Sequence, residues 1–485
     1  MATINTNDLR IKNANNFISS LIPVSDRGQG YVFVGRVEPW ADDNAPPTPQ
    51  NNNQTFYNVC DNLFALKRIE SNDVYNMIPR LNWVSGLVYD YYRQDYSEIN
   101  KSFTGATNLY DCLWVVRNQQ NVVYICLNNN YNTPSTVEPL NTTNEPFMTT
   151  DGYQWQRVYD ISADAFNNYT TTDFMPIQLN NVVTSTDGAL STVIIENSGG
   201  GFTQSPIGAP NQIPYYFCRI DGDGEGAVAR VTVTGSVVTD IEVVRPGGGY
   251  TFGTLDFTAD NCYESLPDLD QDRNSLNPGG DNTLRSTVII PPPGGWGTDI
   301  VRELGGTRVG VFTTLNYDLF NFFTGSFRQV GIFQDATLDS PLATTVNACY
   351  CAQVSDVPSG QSYISGETIT QFVLNEDLET KVAKGIVIAY DTSTGVIRYS
   401  QNSTDVDSDG KLYRFGGSNS IIGGTSQISG APSGYTGSSA DVTLIDGYAS
   451  PDLTLYSGLM TYLANVRPVV RDDQQSERIS LVIAF

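Results

Sequence analysis

The chain contains no histidine. That absence excludes Ser-His-Asp and Cys-His catalysis, histidine-ligated zinc and the ordinary proton shuttle near neutral pH. Carboxylate-only chemistry such as glycoside hydrolysis is left, with rarer serine-lysine arrangements. Positive charge is also scarce, with 27 Lys and Arg against 52 Asp and Glu and a formal net charge of −25. Such a surface repels phosphate backbones and anionic lipid, so neither nucleic acid nor a membrane is an expected partner. Nowhere do eighteen apolar residues run together, and residues 1–30 lack a cationic start followed by an apolar core. The expectation is therefore a soluble, reducing compartment. Cysteine is thin: Cys60, Cys112, Cys126, Cys218, Cys262, Cys349 and Cys351 are an odd number spread along the chain. Free, mostly buried thiols are expected rather than a disulfide framework.

What the chain does have is Asn, Thr, Ser, Gly and Tyr, with only 16% of residues charged. This is the usage of β-structure with many polar turns. The length accommodates two to four compact units. The predicted fold class is mainly β, with antiparallel sheets or sandwiches, a few short helices, and several domains that include inserted β domains. The segments divide as 1–180, a glycine-rich insertion at 181–285, a return of the first style at 286–340, a second insertion at 341–448, and closing strands at 449–485. The spacing of Ile11, Ala14, Phe17, Ile18 and Leu21 predicts a short helix before the strand YVFV. Phe56, Val59, Cys60, Leu63 and Leu66 predict a second helix over about 55–70. CLWVVRN and NVVYICLNN form a hairpin, and YQWQRVYDIS, DFMPIQ, ETITQFVL, KGIVIAYD and GVIRYSQ are strands. VIIENSGGGFT (193–203) and IEVVRPGGGYT (241–251) align position for position. Their glycines permit an aromatic to fold back over the sheet, and VARVTVTGSVVTDIEVV is two strands around a Gly-Ser turn. The apolar close of the chain is expected to be tied into a sheet.

Several stretches bear on chemistry. IDGDGEG (220–226) and DVDSDG (405–410) begin like calcium loops, but Thr232 and Gly416 stand where the twelfth-position glutamate belongs, and Asp-Gly also turns hairpins. GGGFT and GGGYT lack the Lys-Ser/Thr of a phosphate loop. Cys349 and Cys351 in ACYCA read as a packed strand more readily than as half a metal site. No carboxylate pair stands out, so no catalytic, cofactor-binding or metal residue is assigned. GRVEPW differs from these. Arg36, Glu38 and Trp40 alternate, and would share a side if the strand persists past Pro39. Arginine can grip a carboxylate with two parallel bonds and tryptophan offers a large apolar body with one donor, so the group reads as a lock or docking point.

FVGRVEPWADDNAPPTPQ resembles the N-terminal signature of baseplate wedge proteins of contractile-tailed, T-even-like bacteriophages, of the gene-product-eight type. MIPRLNW (77–83), TTDGYQWQRVYDIS (149–162), GSFRQVGIF (325–333) and YSGLMTYLANVRPVVRDDQQSERISLVIAF (456–485) follow in the family's order. The resemblance covers most of 1–180, 286–340 and 449–485, which it makes a wedge core, and leaves 181–285 and 341–448 as additions. It implies a non-enzymatic, largely antiparallel β subunit without cofactor, homodimeric and in contact with other baseplate wedge proteins, assembled in the host cytoplasm and resident in the virion tail. On it, Arg36, Glu38, Pro39, Trp40, Arg80, Trp83, Tyr153, Trp155, Phe327, Arg328, Arg467 and Pro468 are framework or interface positions. The competing expectation, from the tyrosine, tryptophan and carboxylate content, is a tail-associated protein that binds or cleaves surface glycans.

Overall fold

The computed structural model describes residues 6–22, 29–143, 145–179, 186–204, 215–266, 275–315, 325–340, 343–471 and 475–485. Strand makes up 41% of the chain and helix 9%, in several antiparallel sheets, so the protein is mainly β with multiple β domains. It divides into two compact units, one of Met1–Ala14, Tyr75–Val309 and Ile483–Phe485, the other of Asn15–Val74 and Gly310–Val482.

In the first unit a four-stranded sheet runs in the order Val115–Arg117, Val122–Asn128, Gln154–Asp160, Phe147–Met148. Alternation sends Tyr124, Cys126 and Trp155 into one core with Tyr89 and Tyr153, while Val123, Ile125 and Leu127 enter another with Trp114, Ile289 and Trp296. The predicted hairpin at its start is present, and Asn118 Oδ1 closes the turn by accepting from the amides of Gln120 and Val122 at 2.9 Å each. The glycine-rich segment has a core of its own, built from Tyr216, Val231, Val233, Phe202 and Tyr250. There Val228–Thr234 pairs with both Tyr215–Gly222 and Val237–Arg245. The Gly-Ser turn is as expected, with Gly235 and Ser236 at φ +62° and +71°. Both echo aromatics fold back: Phe202 and Tyr250 are buried, and the Tyr250 hydroxyl donates to Ile220 O and accepts from Ala227 N. Phe485 N donates to Thr307 O at 3.1 Å, which ties down the apolar end.

The second unit holds a five-stranded sheet in the order Thr345–Asn347, Leu63–Arg68, Gly30–Gly35, Gly325–Gln334, Leu459–Arg471. Another of its sheets has seven strands. Six of them close into a ring, Val396–Ser400, Thr380–Asp391, Thr368–Leu374, Ile421–Gly423, Ser429–Pro432 and Tyr350–Ser355, because Tyr350–Ser355 pairs again with Val396–Ser400. Closure abolishes the edges, and Ile369, Val387, Ile397 and Ile421 fill the interior.

The helix at Asn7–Leu21 agrees with its spacing, whereas the one expected over 55–70 does not. The helix runs only from Asn53 to Asp61, and Leu63–Arg68 is a strand paired to Gly30–Gly35. Leu63, Phe64, Ala65 and Leu66 are all buried. A helix would have left one of these faces in water, and the open edge beside YVFV won the contest over local periodicity.

Candidate functional site

The strand that begins as YVFV ends at Gly35. A bulge opens between Val34 and Gly35, and Arg36 follows at φ +62°. Side-chain room also forces this glycine, since a Cβ there would stand 2.6 Å from Asn62 O. The alternation expected to put Arg36, Glu38 and Trp40 on one side is therefore broken at its first residue, because left-handed backbone reverses the pleat. The guanidinium of Arg36 instead folds over the Trp40 ring, 4.1 Å from its centroid. Burial pulls the Arg36 pKa down, against the pull of the Glu38 carboxylate.

What the turn presents is a loop that clasps two strands of the same sheet. Arg328, 8% exposed, grips the Asp43 carboxylate with two parallel bonds of 2.9 and 2.8 Å and donates to Val37 O at 2.5 Å. Asp43 also accepts from Trp40 N at 2.8 Å. The Arg328 bond and that amide hold the carboxyl at about 2, well below the usual range. Farther out, Trp40 Nε1 donates to Val466 O at 3.1 Å, Arg467 Nε to Asn44 O at 3.2 Å, and Asn465 Nδ2 to Pro47 O at 2.7 Å. Asn465 is itself held by Gln329 Nε2 at 2.9 Å. Phe327 is buried beside Arg328 on the same strand, opposite Val469, while Pro39 and Arg467 are exposed. Pro468 falls where the register skips between Phe327 and Gln329, a place where a strand residue without an N–H is tolerated. Thus Arg36, Trp40, Arg328 and Arg467 meet in one network. Asp43, Asn44 and Pro47, which hold it together, fall inside the FVGRVEPWADDNAPPTPQ signature, yet nothing local marks them as partners of strand residues 285 and 423 positions away.

The remaining candidates lie in the other unit and make a second framework. Tyr153 stacks on Trp155 with ring centroids 5.4 Å apart, and Tyr89 meets Trp155 edge-on. The Tyr153 hydroxyl donates to Thr133 O at 2.6 Å, and Trp83 Nε1 donates to Ser135 Oγ at 3.1 Å. Arg80 donates to Thr171 O at 2.9 Å and lies over the Phe166 ring. These side chains knit loops to the sheet.

The acidic motifs are used internally. Asp223 accepts from Thr251 N, Phe252 N and the Thr251 hydroxyl, and Asp409 from Lys411 N and the Tyr413 hydroxyl. Cys349 donates to Asn347 Oδ1, and Arg398 lies 3.5 Å from Cys351 Sγ in a packed strand. Among the described residues no group of three or more His, Cys, Asp or Glu is placed to hold a metal. All seven cysteines are free, six of them buried, in agreement with the sequence. No helix among the described residues is long and apolar enough to cross a membrane. No protein-family model matches the chain, and the search of curated proteins found no match.

Proposed function

We propose that this protein is a structural subunit of the baseplate wedge of a contractile phage tail, a homodimeric scaffold that contacts other wedge proteins and catalyses nothing. The observation that carries this reading is the strand Leu459–Arg471. It is thirteen residues long and stands at the margin of its sheet, with one strand neighbour among the described residues. Its Leu459 and Val470 are 60% and 66% exposed. A long, partly apolar edge is an invitation to pair with another chain; Pro468, the register skip and the Trp40–Pro47 loop guard its middle, while Leu459 and Val470 stay exposed on either side. Here the clasp of Arg36, Trp40 and Asp43 stiffens it, which suits a part that works through shape. Three of the motifs that carry the wedge resemblance, FVGRVEPWADDNAPPTPQ, GSFRQVGIF and YSGLMTYLANVRPVVRDDQQSERISLVIAF, supply this clasp and both strands under it. The lack of histidine is consistent with a role that needs no proton transfer.

Sedimentation equilibrium of the purified chain at micromolar concentration tests the reading, together with mixing with candidate wedge proteins. A dimer that enters a wedge complex is expected. Val470→Lys, at an exposed position, should leave the fold intact and shift the chain toward monomer. A monomer that joins no complex defeats the proposal.

A further inference from the structure

Cys218 and Cys262 face each other on neighbouring strands of the glycine-rich segment. Tyr215–Gly222 pairs antiparallel with the two-residue strand Cys262–Tyr263, in a register that sets Cys218 opposite Cys262 and Phe217 opposite Tyr263. The backbone bonds decide which kind of pair this is. Arg219 N donates to Asn261 O at 3.2 Å, one step along the ladder, whereas Cys262 O accepts from Leu276 N at 2.8 Å. Bonded and non-bonded pairs alternate in an antiparallel ladder, so the two cysteines occupy a non-bonded pair, where Cα atoms lie ~4.5 Å apart and side chains are nearest. That separation falls inside the ~4.4–6.8 Å that a disulfide spans.

The two Sγ atoms stand 3.1 Å apart, and both side chains are fully buried in a core with Tyr216, Ala229 and Phe257. A free cysteine packs as a small apolar group, which accounts for each residue singly. The alignment of both sulfurs is a further observation, because it is what bond formation demands. The strand Cys262–Tyr263 has two rungs on its neighbour, supported by Asn261 Nδ2 donating to Asp221 Oδ2 at 2.9 Å and by the Arg219 guanidinium over the Tyr263 ring. A bond would close 44 positions of chain into a loop that includes the strands Val228–Thr234, Val237–Arg245 and Gly253–Leu255.

We propose that Cys218 and Cys262 form a redox-closed staple: two thiols while the chain is in a reducing compartment, and a disulfide once it meets an oxidising one. The co-reactant is a low-molecular-weight disulfide. One cysteine thiolate attacks it and expels a thiolate, and the second cysteine thiolate then attacks the mixed disulfide and expels the other. Two cysteine thiols are thereby oxidised, the reagent is reduced to two thiols, and the cysteine protons end on them. Burial holds Cys218 in its thiol form, so closure is slow and proceeds through local opening of the short Cys262–Tyr263 strand. These residues belong to the first unit and the Leu459–Arg471 strand to the second, so the staple and the assembly role stand or fall separately.

The test incubates the full-length chain with oxidised glutathione, alkylates the remaining thiols in urea and maps the peptides by mass spectrometry. In the native chain one intramolecular bridge, Cys218 to Cys262, should dominate, with loss of two hydrogens. The chain oxidised in urea should instead scatter its bridges among the seven cysteines. The bridged chain should melt about 5 °C or more above the reduced one, since a closed loop constrains the unfolded state. Dithiothreitol should reverse that gain and Cys262→Ala should remove it. Near-UV circular dichroism checks the variant, and if it fails to fold, the peptide map and melting of the unsubstituted chain decide. The proposal is overturned if no Cys218–Cys262 bridge forms in the native chain, if other pairings equal it, or if the bridge does not raise the melting temperature.

Discussion

Arg328 concentrates more of the second unit's polar chemistry than any single motif suggested. Its guanidinium satisfies the Asp43 carboxylate, Val37 O and the Ser326 hydroxyl from an almost fully buried position. Replacing it leaves a buried carbonyl without its donor, so Arg328→Ala should cost roughly 2 kcal/mol in urea unfolding. Arg328→Lys should recover only part of that, because a point charge cannot reproduce the fork. The same pair sets an acid limit. Asp43 titrates at about 2 in the folded chain, below its ordinary ~3.9 in an unfolded one. A depressed carboxyl adds stability that is complete above about pH 4 and disappears as pH falls toward about 2. Carbon-13 titration of the Asp43 carboxyl should report a midpoint near 2, moving back toward about 4 in Arg328→Ala. The first unit has its counterpart in Trp155, fully buried and with no partner for its indole nitrogen among the described residues. Trp155→Phe therefore sacrifices volume but no hydrogen bond and should cost about 1–2 kcal/mol in denaturant melts, against about 3–5 for Trp155→Ala.

Elements were legible where local pattern and tertiary demand agreed. The hairpin around Gly235 and Ser236 is an example, since two left-handed residues in a two-residue turn match the twist of the flanking strands. Ser236 holds that conformation at some strain, so Ser236→Gly should raise thermal stability slightly, by about 0.5–1 kcal/mol, in calorimetry. The short helix Asn53–Asp61 teaches the opposite lesson. Its N-cap is plain in retrospect, with Asn52 Oδ1 accepting from Thr55 N at 2.8 Å. Its end was hidden, because Leu63 and Leu66 continue a helical spacing while Leu63, Phe64, Ala65 and Leu66 together make a strand that is buried on both faces. Short apolar runs do not distinguish the two, and only the neighbouring strand decides.

At the scale of the whole molecule, the two large sheets of the second unit solve the edge problem differently. The six-strand ring has no edge within its circuit, while the five-stranded sheet ends on a long, half-exposed strand. If that strand is the assembly surface proposed above, Leu459→Lys together with Val470→Lys should abolish dimers in sedimentation without lowering the melting temperature. Both side chains are exposed, so the folded monomer loses little.

The sequence by itself determined the β character, the polar turns, the reduced cysteines and the absence of histidine chemistry, because these follow from composition and from contacts a few residues apart. Only the tertiary structure decided that Arg36 turns away from its strand and that Arg328 finds Asp43 across 285 positions. Such meetings are set by which strands pair and in what register, and register is a property of the assembled sheet that no local spacing encodes.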